Sequence, residues 1–187
     1  SFQTYITNSF GSTPSTSILT IPSSNESIVG TRIVYTPSAY EFSLDENEST
    51  KTFSSGLSVS STDLVRTNEN YFDISYDNYG SYWTTYRVGL SSSFDCEIIT
   101  GSVSNNVDQS NQYVDNYLLE NEQTLRFGGR AILFSEEKGS PFTSGIRLTL
   151  GRSLGETYQG YLFLENINSK NISERLTINL SPKLAMT

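Results

Sequence analysis

The 187-residue chain contains no histidine. That absence removes Ser/His/Asp and Cys/His nucleophilic systems, most zinc and iron sites, and the commonest general base. Cysteine occurs once, as Cys96 in FDCEII, so no internal disulfide can form. With no imidazole to activate it, the thiol is expected to be free and buried. Basic residues are few: 12 Lys and Arg stand against 20 Asp and Glu, for a net charge of −8 and no basic cluster. This argues against nucleic-acid binding, which needs a positive footprint on the phosphates. The longest apolar runs are four residues, at 131–134 and 161–164, where a helix needs about 20 to cross a bilayer; no membrane helix is predicted. Neither GxxxxGK[ST] nor a strand-linked GxGxxG occurs, which excludes the common nucleotide loops, and no cofactor is expected.

Hydrophobic residues make up 35% of the chain, below the usual share of about 45–50%, a class that also counts Gly. Aromatics reach 12%, Phe and Tyr together supplying 22 residues, so a core would lean on large rings. Ser, Thr and Asn form the polar bulk, which suits a folded chain with long polar loops. Ser1 is followed by FQTYITNSFGS, with no secretory signal pattern; removal of an initiator Met and removal of a signal peptide both fit this start.

Period-two alternation recurs. It is clearest where Ile146, Leu148 and Leu150 alternate with Arg147, Thr149 and Gly151, and where Leu176, Ile178 and Leu180 alternate with Arg175, Thr177 and Asn179. Half-buried strands are predicted there and at 30–35, 39–44, 52–60, 71–76, 82–90, 97–101, 124–134 and 158–164, with weaker candidates at 2–7 and 17–21. Turn chemistry separates them at 22–26, 45–48, 77–80, 136–140 and 168–171. Gly128 and Gly129 inside a strand pattern suggest a bulge or kink. The expected fold is all-β: an antiparallel β-sandwich or barrel, jelly-roll forms included, with about 10–12 strands and at most one short helix near 113–120. One domain over 1–187 is expected, with scope for an extended N-terminal arm over 1–16.

Carboxylate pairs that could serve glycoside hydrolysis are Asp73 with Asp77 and Glu136 with Glu137. The first pair reads as the polar side of a strand and the second as a solvated hairpin tip, so no catalytic residue is assigned. The DENES stretch at 45–49 spaces oxygen ligands as calcium loops do, but Thr50 and Gly56 stand where an EF-hand needs Gly and Glu; no metal ligand is assigned. NxS sequons at Asn25, Asn47, Asn171 and Asn179 carry little weight in so Ser- and Asn-rich a chain.

The most distinctive stretch is YFDISYDNYGSYWTTY at 71–86. Alternation pairs Phe72, Ile74 and Tyr76 with Tyr82, Tyr86 and Val88 as core, leaving Tyr79 and Trp83 near the turn beside Asp77 and Asn78. Tyr76, Asp77, Asn78, Tyr79, Tyr82 and Trp83 are therefore the candidate binding or interface surface. Such a patch suits subunit packing, a sugar ring, or a membrane-interface girdle. Seven of the eight Arg lie in or at the ends of predicted strands, where they could pair with carboxylates of a neighbouring chain or coat solvated sheet faces.

These features lead to a non-enzymatic protein acting through surfaces. The first expectation is a virion structural component, such as a bacteriophage head decoration, connector or tail protein that self-associates or binds other structural proteins. An outer-membrane β-barrel, or a fragment of one, is the second. A secreted, extracellular carbohydrate-binding module with a glycan ligand is the third.

Overall fold

The computed structural model describes residues 2–7, 28–36, 62–78, 80–102, 123–155, 158–173 and 176–186. Ten strands occur there: β1 (Phe2–Thr7), β2 (Ile28–Tyr35), β3 (Asn70–Asp77), β4 (Tyr82–Ser91), β5 (Phe94–Ser102), β6 (Thr124–Phe134), β7 (Thr143–Ser153), β8 (Gly160–Ser173), β9 (Leu176–Leu180) and β10 (Lys183–Met186). They form one antiparallel sheet in chain order, with β9 and β10 both on the outer side of β8. Asn168 opposes Leu180 and Glu165 opposes Lys183, so the register runs unbroken from β9 into β10. Pro182 interrupts only the ladder, having no N–H to donate; its carbonyl still accepts from the Asn166 amide at 3.0 Å. The sheet is thus a nine-strand meander whose last strand has two parts.

The strands end at two rims. The upper rim carries the turn between β3 and β4, where Gly80 has φ 96°. The lower rim carries the β4–β5 turn and a single 3₁₀ turn at Glu136–Lys138, closed by Gly139 at φ 88°. All three register shifts, at Gly89/Ser91, Ile132/Phe134 and Asn171/Ser173, sit at the lower rim, as bulges do at barrel rims.

The sheet curls. In a flat sheet β4 and β8, four strand spacings apart, would stand roughly 19 Å from each other. Instead the Arg126 guanidinium of β6 lies 4.9 Å from the ring of Trp83 on β4 and 4.9 Å from that of Phe163 on β8. Trp83 lies flat on the wall because Gly101 is its register partner on β5; a Cβ there would stand 2.3 Å from the indole. Residues 62–69 form a strap across the concave face. Thr62 N donates to Ser169 Oγ (3.2 Å), Val65 N to Asp95 Oδ2 (3.1 Å), and Asn68 N to Gly89 O (2.9 Å). Gly89 is required here, since a Cβ would stand 1.9 Å from the Arg66 carbonyl.

Several expectations change. Residues 168–171 are not a turn but part of β8; pairing with Leu176–Leu180 outweighs their turn-forming composition. No bulge occurs at Gly128 and Gly129, which pair regularly with Thr149 and Leu148. The weaker strand candidate at 2–7 is a strand hydrogen-bonded to β2, and the rest of the 1–16 stretch lies outside the described residues. The predicted strands at 17–21, 39–44 and 52–60, the turns at 22–26 and 45–48, the helix at 113–120 and the acidic 45–49 loop lie outside the described residues.

Candidate functional site: a charged concave face and an apolar convex face

Strand alternation sends every second side chain to the concave face, and there the register aligns Gly89, Asp95, Arg130, Arg147, Glu165 and Lys183 across six strands. A neighbouring row aligns Tyr71, Arg87, Glu97, Gly128, Thr149 and Phe163. The two rows interlock. Glu97 accepts from Arg87 Nε at 3.0 Å and from Arg147 Nε and Nη2 at 2.5 and 3.1 Å. Arg147 also donates to Glu165 at 3.2 Å, and Glu165 lies 3.6 Å from Lys183 Nζ. Arg130 forks onto Asp95 at 3.1 and 2.5 Å, while Arg32 on β2 pairs with Asp73 and donates to Tyr71 Oη at 2.8 Å. Arg130, Asp95, Glu97 and Arg147 are all buried. Burying such charges costs several kcal/mol each unless they are paired and hydrogen-bonded, and the register supplies that pairing. Arg126 is the exception: fully buried, its three nitrogens have no hydrogen-bond partner, and the two ring faces hold its charge.

The convex face is the reverse. One row of register partners runs Tyr35, Phe72, Tyr86, Ile98, Phe127, Leu150, Leu162 and Met186, without a polar interruption over eight strands. The next row runs Val88, Cys96, Gly129, Leu148, Leu164 and Leu184. These side chains face outward: Phe127 is 60% exposed and Leu150 51%. Charges inside and large apolar side chains outside invert the usual partition of a protein in water.

The hairpin of β3 and β4 splits the predicted surface between the two faces. Tyr76 is exposed and pairs with half-buried Tyr82 on the convex face. Asp77 is buried and accepts from the Ser81 amide at 3.0 Å; Asn78 is exposed and its Oδ1 accepts from the Val29 amide at 2.8 Å. Trp83 is 2% exposed on the concave face and offers no ring to solvent; Tyr79 lies outside the described residues. Phe72 does pair with Tyr86, but the face they share looks outward instead of forming the core. Alternation defines two faces without saying which is inside. Arg32, Arg87, Arg130 and Arg147 pair with carboxylates of their own chain, and Cys96 is half-exposed on the convex face instead of buried. Asp95, Glu97 and Glu165 escaped the sequence reading. The signal that marked them was the concentration of Arg in strands, which called for carboxylates on the same faces.

At the lower rim Glu136 accepts from Lys170 Nζ at 2.6 Å and from the Asn171 amide at 3.1 Å. The Lys170 hydrogen bond first, and the amide second, hold its carboxyl below the ordinary carboxylate range. Among the described residues no group of three or more His, Cys, Asp or Glu side chains is placed to hold a metal ion, and no helix is long and apolar enough to cross a membrane. Comparison with known protein families, with curated proteins and with solved structures finds no match for this chain.

Proposed function

We propose that the chain forms the wall of a membrane-spanning β-barrel of the outer-membrane type. The observation that carries this reading is the unbroken apolar row from Tyr35 to Met186 on the convex face, backed by paired charges on the concave face. In lipid every backbone group must be satisfied internally; the ladder does this from β2 to β8, and the reading requires the outer edges of β1 and of β9 and β10 to be closed as well. The central strands have a suitable length. β6 and β7 have 11 residues each and β4 has 10, against about 9–11 for a tilted spanning strand. On β6 the outward residues from Leu125 to Leu133 cover roughly 26 Å along the strand, or about 20 Å across a bilayer at a tilt near 40°.

The interior is crossed by side chains from facing walls and by the strap. That packing suits a membrane anchor or a scaffold that presents loops, in the manner of small barrels whose interiors are filled.

A virion component would instead cover the convex face with other protein subunits, and detergent separates the two readings. The full chain is expected to need detergent or lipid for a monodisperse state, and to insert into phosphatidylcholine vesicles with strand circular dichroism and resistance to trypsin. A protein that stays monodisperse in buffer alone and ignores vesicles would overturn the membrane reading.

A further inference from the structure

We infer that the convex face carries a site for one anionic phospholipid, where β7, β8 and β10 reach the upper rim; the inference rests on the membrane reading above. The long apolar row ends there in Leu150, Leu162 and Met186. Directly above, Arg152 has Gly160 as its register partner, and the missing side chain leaves a gap. A shallow, open groove of about 440 Å³ lies at this point, lined by Leu150, Gly151, Gly160, Tyr161, Leu162 and Met186. Backbone sterics do not demand the glycine: a Cβ on Gly160 meets nothing nearer than the Gly151 carbonyl oxygen at 4.0 Å. The gap exists because no side chain fills it.

The charge beside it is as particular. Of the six arginines in the described strands, Arg32, Arg87, Arg126, Arg130 and Arg147 are buried on the concave face, and Arg152 alone is exposed on the convex one. It has no carboxylate partner among the described residues, and its guanidinium lies 5.4 Å from the ring of exposed Tyr158. One residue further β7 reaches its last position, Ser153, so Arg152 sits where the apolar rows give way to the rim. An Arg and a Tyr at that level occupy the headgroup zone. An acyl chain laid in the groove brings its phosphodiester to Arg152, whose planar fork donates to phosphate oxygens. The net charge of −8 repels anionic lipid in general, so a preference for it must come from a local site.

The test uses the full chain, folded and held in a non-ionic detergent, with phosphatidylglycerol or phosphatidylcholine added and lipid retention read by native mass spectrometry. One phosphatidylglycerol per chain is expected to remain where phosphatidylcholine is shed. Arg152→Gln removes the charge-assisted bonds and is expected to weaken retention about tenfold or more. Gly160→Leu fills the groove and is expected to abolish retention while leaving the strand spectrum intact. Equal retention of both lipids, or unchanged retention in both variants, in protein that still inserts into vesicles overturns the site and leaves the membrane reading standing. Failure of the wild-type chain to insert removes both.

Discussion

Replacing Phe127 by Arg distinguishes lipid from water at the convex face by size as well as by sign. Phe127 stands mid-strand on β6 between Ile98 and Leu150 and is 60% exposed. If water covers that face, the substitution removes little packing and shifts stability by no more than about 0.5 kcal/mol. If hydrocarbon covers it, a cation near the midplane costs about 2–4 kcal/mol; at 3 kcal/mol the folded-to-unfolded ratio falls roughly 150-fold. Trp83 supplies the readout, as the single tryptophan, 2% exposed and stacked on Arg126. Urea unfolding of vesicle-inserted protein, followed by its emission, is expected to show a clearly lower midpoint for Phe127→Arg and an unchanged one for Glu137→Arg in the exposed lower turn. Equal midpoints for the two variants would refute the assignment of lipid to this face.

Glu97→Gln leaves Arg87 without its carboxylate and Arg147 with Glu165; a loss of about 3–5 kcal/mol is expected in the same unfolding assay, and a loss below 1 kcal/mol would show that the ladder is not a unit. Cys96 faces outward beside Val88 and Gly129, so in vesicles it should resist a charged maleimide and react with a lipid-soluble one; equal labelling by both contradicts the orientation. Gly101→Val drives a side chain into the space of the Trp83 ring, and red-shifted emission with a lowered midpoint is expected, whereas an unchanged spectrum would place the indole elsewhere. The depressed Glu136 carboxyl contributes stability that is present above the carboxyl's unfolded pKa, about 4.3, and that is lost as pH falls through the lower folded value. The Asn171 amide resonance should therefore move only in more acid solution than a free Glu requires, and a midpoint at or above the ordinary value would contradict the contact.

Much of the ladder was legible in the sequence. Phe2–Thr7 and Thr124–Phe134 match the predicted bounds, and the turn after Asp77 falls where Asn and Gly allow it. Such features are local, set by alternation and turn chemistry. The inside of the sheet was not legible, because a period of two is symmetric between faces and the choice depends on the medium outside. Phe72, Ile74 and Tyr76 read as core only on the premise of surrounding water, and that same premise sent Trp83 to the surface. Glycine held the contrary sign: Gly101 leaves room on the face where Trp83 lies, but seeing this needs the register of β4 on β5.

The strap has a bearing on how the chain folds. Each short hairpin of the meander closes over few residues and can form early, whereas the bond from Thr62 to Ser169 spans 107 positions and must wait for β8. Ties to Gly89 and Asp95 are available much sooner. Closure entropy rises with loop length, so the ties of residues 62–69 to β4 and β5 carry a smaller entropic cost than the tie to β8. On entropic grounds alone the Val65 and Asn68 bonds are expected to form before the bond from Thr62 to Ser169.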